Sequence, residues 1–201
     1  MKTFKKLACA ALALTMVIGL TACSSKGFDH KKMIEFSEDQ DFDEMDDSDE
    51  FVREYGNLAA GRSKSDGIYI SCTGSDAQDV YDIVLNRFGE LKSYDVEEAT
   101  ALFYSNREGT CMAFVFTLED EKDAEKLFKK YGKKFARDGE EGKEKGYSYI
   151  IESGSGTKSK DTLCGVYLKN STVIIVRALV SDTDPIDDLC KKYNIISPTD
   201  A

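Results

Sequence analysis

The chain has no tryptophan, one histidine (His30) and two prolines in 201 residues. Each scarcity removes a class of chemistry. Tryptophan offers the largest flat, amphipathic ring for stacking on sugars, and only ten tyrosines stand in for it. His30 lies far in sequence from every serine and cysteine of the second half of the chain. A Ser-His-Asp or Cys-His centre is therefore not expected, and His30 is read as an exposed residue of a short helix. The sequence contains no His-Glu-x-x-His, no Gly-x-Ser-x-Gly and no Cys-x-x-Cys, which leaves no zinc-protease helix, nucleophile elbow, thioredoxin-type pair or zinc knuckle. Carboxylates are too abundant for any pair to stand out as a glycosidase dyad. No catalytic residue is assigned, and the chain is expected not to be an enzyme.

Long apolar runs are equally scarce, and the one present is informative. Lys2, Lys5 and Lys6 precede an uncharged, largely apolar stretch over residues 7–20. That stretch falls short of the roughly 20 apolar residues of a membrane-spanning helix, but suits the central region of an export signal. It ends in Leu20-Thr21-Ala22-Cys23. These four residues resemble the lipobox of bacterial lipoproteins. The resemblance implies cleavage after Ala22 and a diacylglyceryl group on the Cys23 sulfur, with further acylation (palmitate is the usual chain). It covers residues 1–23 only. The general build of the remainder is similar to small clostridial-type surface lipoproteins, a likeness without a motif. The expected location is the extracytoplasmic face of the cell membrane, held there by lipid.

Charge narrows the partners. Three of the 27 basic residues and none of the 37 acidic ones lie in 1–22, so the chain from Cys23 carries −13. Nucleic acid is excluded, since phosphate neutralisation by Lys and Arg supplies most of that affinity. Docking flat on anionic lipid is disfavoured for the same reason. The expected partners are the membrane, through the anchor, and a protein or envelope component.

The organisation is read as a signal peptide (1–22), a lipidated tether (23–27), an acidic helical segment (28–60) and an α+β domain (68–196). Ten of the sixteen residues from Glu35 to Glu50 are acidic and none is basic. Even so, Met33, Phe36, Phe42, Met45, Phe51 and Leu58 recur through this region, which a disordered acidic spacer would lack. Two short helices near 29–38 and 47–57 are expected, joined by an acidic loop.

Beyond residue 68, strands alternate with helices. Strands are expected at 68–72, 100–105, 111–118 and 147–152. A helix with an apolar stripe of Ala77, Val80, Tyr81 and Val84 lies between the first two strands. A second, over 119–137, carries Ala124, Leu127, Phe128, Tyr131 and Phe135 on one face. Its lysines are read as solvated surface. The order β-α-β-β-α-β points to a ferredoxin-like antiparallel sheet. A C-terminal hairpin (163–168 and 172–179) and a helix opening at Asp184-Pro185 extend it, and a Gly/Ser/Lys loop precedes the hairpin. Part of that loop, residues 154–159, has phosphate-loop composition but lies between strands, so it is read as a connection.

Two further sets of residues carry candidate chemistry. Asp39, Asp41, Asp43, Asp47 and Glu50 fall at positions one, three, five, nine and twelve of an EF-hand calcium loop. Glu44 stands where that loop needs glycine, and Asp46 where it is apolar, so a solvated acidic loop is the alternative. Calcium is the one ion considered; no other cofactor is expected. Cys72, Cys111, Cys164 and Cys190 are either disulfide partners in an oxidising compartment or small buried thiols. In a ferredoxin-like sheet the first and third strands are neighbours, which favours Cys72–Cys111 and leaves Cys164–Cys190.

Overall fold

Alternation along each strand decides which residues meet which layer. In Gly67–Thr73, Ile68 and Ile70 join one core while Tyr69 joins a second on the opposite face. The same division recurs in the central strand Thr172–Val180, where Val173 and Ile175 face one way and Ile174 and Val176 the other. A strand buried on both faces demands helices on both sides, and the fold supplies them.

The computed structural model describes residues 27–63, 66–87, 94–157 and 160–200. In chain order the elements are α1 (Lys31–Asp39), β1 (Asp43–Glu44), α2 (Ser48–Ala59), β2 (Gly67–Thr73), α3 (Ser75–Arg87), β3 (Val96–Ser105) and β4 (Gly109–Leu118). They continue with α4 (Glu121–Phe135), β5 (Glu140–Glu144), β6 (Tyr147–Thr157), β7 (Lys160–Lys169), β8 (Thr172–Val180) and α5 (Asp184–Tyr193), and end in a 3₁₀ turn, Pro198–Asp200. The fold is α+β, with one eight-stranded sheet in the order β1-β2-β3-β4-β8-β7-β6-β5. β1 pairs with β2 in parallel, and every other neighbour is antiparallel.

The interleaved ferredoxin-like order is not the one formed. β2 pairs directly with β3, Cys72 lying opposite Ala99, so β3 separates β2 from β4. The second half, β5 to β8, runs back as a meander and docks its last strand on β4. Strand and helix order along a chain does not fix which sheet edge each strand joins. Here the joining edges are apolar on both faces: Phe114 and Phe116 on one side of β4, Ala113 and Val115 on the other.

The first face is covered by α2, α3 and α4; the second by α1, α5 and Phe28. Local chemistry starts and stops these helices. Asp47 caps α2 by accepting from the Glu50 N–H at 2.7 Å, and Asp120 caps α4 by accepting from the Lys122 N–H at 2.6 Å. Lys133 and Lys134 close α4 at its negative dipole end. Pro185 opens α5, and Asn194 in the left-handed region (φ 55°) ends it. Gln78 fastens α3 to the sheet, its side-chain carbonyl accepting from the Val96 N–H at 3.0 Å.

Residues 28–60, expected as a segment apart from 68–196, enter the same two cores. Met33 and Phe36 of α1 lie in the second, and Phe51 and Leu58 of α2 in the first. The two helices are found where the sequence puts them, but on opposite faces of the sheet, with β1 turning the chain around its edge. The expected Gly/Ser/Lys loop is also shorter than read. β6 and β7 run on as a paired ladder to Thr157 and Lys160. Among the described residues no helix is long and apolar enough to cross a membrane.

Candidate functional site

The first face is not completely covered. Where α2 and α3 diverge from the end of α4, a cleft of about 320 Å³ opens over β3, β4 and β8. Its floor is Phe103, Met112, Phe114 and Arg177. Phe103, Met112 and Arg177 are successive cross-strand partners, so they form one row across three strands. Phe51, Val52 and Tyr55 of α2 make one wall, and Ile83 and Val84 of α3 continue it. The Tyr55 ring sits 4.5 Å from that of Phe103, and its hydroxyl reaches the Met112 sulfur at 4.0 Å. Arg177 brings the only formal charge to the lining. Its guanidinium lies 5.3 Å over the ring of Phe135 at the end of α4. A shallower groove between α4 and β5–β6 mixes Glu125 and Glu141 with Lys129, Lys133 and Lys143, so it carries both signs.

A second polar assembly is sealed inside the other face. His30, expected on the surface, is 4% exposed. Its Nδ1 lies 2.9 Å from Thr100 Oγ1 and its Nε2 2.9 Å from Thr117 Oγ1. The hydroxyls extend the chain outward, Thr100 to Ser71 at 2.9 Å and Thr117 to Thr172 at 3.1 Å. Ser71, Thr100, Thr117 and Thr172 sit on four adjacent strands, and His30 bridges the middle pair. α1 lies over β2 and β3, which turns His30 toward the sheet. Burial pushes its pKa down to about 4, against a smaller upward pull from Asp29. A neutral imidazole suits the site, one nitrogen donating and the other accepting. Glu98 is the nearest acid, 3.8 Å from Nε2, and burial with Asp29 and Glu97 raises its own pKa. With both ring nitrogens taken up by buried threonines, the arrangement pins α1 to the sheet.

The structure disperses the calcium-loop residues. Asp39 ends α1 and pairs with Lys192 at 2.8 Å, Asp43 lies in β1, Asp47 caps α2, and Glu50 pairs with Arg53 at 3.0 Å. Asp41 occupies the left-handed region (φ 55°) between α1 and β1. Among the described residues no three His, Cys, Asp or Glu side chains converge in a metal-holding group. The stretch passes around the sheet edge instead of looping back between two helices that face each other.

Cys72, Cys111, Cys164 and Cys190, the cysteines among the described residues, carry free thiols. Cys72 lies opposite Ala99 and Cys111 opposite Tyr104, with β3 between them. Two strand spacings and a five-residue offset put their backbones roughly 20 Å apart, far beyond the roughly 7 Å limit of a disulfide. They also face different cores, as do Cys164 and Cys190. The Cys72–Cys111 expectation rested on strand neighbours that the sheet does not form. Burial, with Asp76, Asp79 and Glu98 adding to it, pushes the Cys72 thiol up to about 11. Burial likewise raises Cys164 and Cys190 to about 12. A thiol reagent is expected to titrate these four cysteines only after denaturation, with Cys72 first to react on partial unfolding. Two titratable thiols in place of four would contradict the assignment.

Neither a family model, nor a curated protein, nor a solved structure shows significant similarity to the chain. The site therefore has to be read from its own residues.

Sequence reading passed over Arg177 and the hydroxyl row, and placed His30 on the surface. A signal existed for the first: β8 is otherwise apolar except at its first residue, and a lone arginine inside such a strand faces something particular. Outside the cleft, helices cover both faces of the sheet.

Proposed function

We propose that this chain is an extracytoplasmic lipoprotein, cleaved after Ala22 and lipidated at Cys23. It acts as a non-enzymatic binding module toward a protein or envelope component, with the cleft at Arg177 as its contact site. The observation that carries this reading is the separation of attachment from cleft. Gly27 packs so tightly on the β7–β8 turn that a Cβ there would meet Thr172 Oγ1. Phe28 is buried beside Tyr147 and Tyr193, ring centroids 6.0 Å apart in each case. Four residue steps separate Cys23 from Gly27, so the fold starts within about 14 Å of the lipid. The turn at 169–172 would then face the bilayer. Arg177 lies five residues further along β8, and the cleft opens on the face opposite α1. An anchored copy thus offers the cleft to the surroundings and not to its own membrane.

The test has two arms in intact cells. Wild-type protein is expected in the membrane fraction and labelled by a palmitate analogue, while Cys23→Ala loses the label completely. A photo-cross-linker in place of Val52, at the cleft wall, is expected to capture a reproducible partner or ligand that the same probe at Lys129 does not. Unlabelled wild-type protein would remove the anchor. Identical capture at both positions would remove the cleft as the contact site.

A further inference from the structure

Arg177 is the one charge in a strand that is otherwise apolar beyond its first residue, Thr172. The chain holds 37 acidic residues, yet among the described residues none lies within ion-pair distance of this guanidinium. Nor does Arg177 donate a hydrogen bond to any described residue; its guanidinium lies 5.3 Å from the Phe135 ring, and, against the stronger effect of burial, its charge pulls down the thiol pKa of its cross-strand neighbour Cys164. A ring contact does not neutralise the guanidinium, so its N–H donors keep no anionic partner among the described residues. Their fork matches the two oxygens of a carboxylate, and the pairing strengthens beside apolar surface.

The rest of the cleft sets the other half of the ligand. Phe51, Val52, Phe103, Met112 and Phe114 present hydrocarbon and a polarisable sulfur, and Tyr55 adds one hydroxyl. This lining is poor in hydrogen-bonding groups for a sugar or a nucleotide. It also holds a single cation, where a phosphate or a dicarboxylate would call for more. The cleft has a volume of about 320 Å³. That lies at the lower end of small-ligand pockets.

We propose that the cleft binds a medium-chain monocarboxylic acid. Its carboxylate lies on the Arg177 fork, and its hydrocarbon tail among Tyr55, Phe103, Met112 and Phe114. The assignment rests on the binding-module reading and adds the chemical class of its ligand.

Decanoate, kept below its micellar concentration, is the probe. Every described element lies within 27–200, so the chain from Ser24 carries the whole described fold and needs no detergent. Methyl-labelled methionine gives a signal at Met112 on the cleft floor, with Met33 in the other core as an internal control. Decanoate is expected to shift Met112 saturably and leave Met33 unmoved. Arg177→Gln, at an exposed position, should weaken this binding about tenfold or more, the usual effect of losing a charged hydrogen-bond partner. Decanol should bind about tenfold more weakly than decanoate, and Arg177→Gln should not change its affinity. Decylammonium should not bind, and Val52→Trp should block decanoate by filling the cleft.

Equal binding of decanoate by wild type and Arg177→Gln would overturn the acid assignment. So would decanol matching decanoate, although the cleft would then stand as an apolar binding site. No Met112 shift with any of the three probes overturns the acid assignment, and the cross-linking at Val52 judges the module reading independently. Methyl shifts with a free peptide C-terminus but not with decanoate would also overturn it, in favour of a protein ligand.

Discussion

Acidification from pH 7 to pH 4 is expected to cost the folded protein about 3 kcal/mol through His30 alone. Burial lowers this imidazole from its ordinary 6.5 to about 4, and each unit of difference is worth about 1.4 kcal/mol. The sign follows from proton counting. Between those two values the unfolded chain binds a proton at His30 and the folded chain does not, so protons favour unfolding. The stabilisation is complete above about pH 6.5 and is lost progressively down to about pH 4. Glu98 acts in the opposite sense. Its pKa is raised in the fold, so acid relieves the cost of burying its charge, and at 3.8 Å it would partly compensate a protonated imidazole. The net loss is therefore expected to fall somewhat below the figure for histidine alone.

The measurement is the urea midpoint at several pH values for wild type and His30→Gln. Glutamine keeps a donor and an acceptor for Thr100 and Thr117 but has no proton to gain. Subtracting the two curves cancels the carboxylates that do not couple to His30, and leaves the His30–Glu98 pair. A difference that grows between pH 6.5 and 4 is expected, with α1 the first element to lose hydrogen-exchange protection. Parallel curves would show that His30 does not titrate across the transition.

Gly109→Ala is expected to destabilise the protein by about 3 kcal/mol or more. Gly109 opens β4 at φ 154°, and a Cβ there would meet Leu179 O at 2.2 Å and Val180 Cα at 2.6 Å. Both are backbone atoms of β8, so no rotamer change relieves them. Crowding of this kind costs about 1–3 kcal/mol and the backbone conformation a similar amount. Next to it, the Ser181 N–H donates to Glu108 O at 2.7 Å, tying the β3–β4 turn to the end of β8. The methyl would push against that tie, three residues from Met112 and Arg177. Gly74→Ala is the comparison. Gly74 has φ 64° but nothing within 4 Å of its Cβ position, so only the conformational cost of about 1–2 kcal/mol applies. Equal losses in urea unfolding would mean that the close approach of β4 to β8 contributes nothing.

Local features were the legible ones. The α1 and α2 helices appear within two residues of the spans expected from apolar spacing, and α4 buries the expected Ala124, Leu127, Phe128 and Tyr131. The hairpin turn 106–109, the Asp184-Pro185 start and the two-faced burial of β8 were all read correctly, because each depends on residues close together in sequence. The short strands β1 and β5 were missed. Asp43-Glu44 and Glu140–Glu144 are charged, exposed edge segments; they are strands because a neighbour offers a ladder, not because of their own propensity.

By itself the sequence determined the α+β class, the spans of the main elements and the acidic balance of the chain. Tertiary structure alone decided the strand order, and with it the separation of Cys72 from Cys111. It also sent α1 and α2 to opposite faces, scattered the five acids of the supposed calcium loop, buried His30 between threonines 70 and 87 residues away, and set Arg177 in an apolar cleft. The physical reason is common to all of these. Periodicity, caps and turns are properties of a few neighbouring residues, whereas the side of a sheet on which a segment packs depends on which apolar surface remains uncovered once all the others have docked.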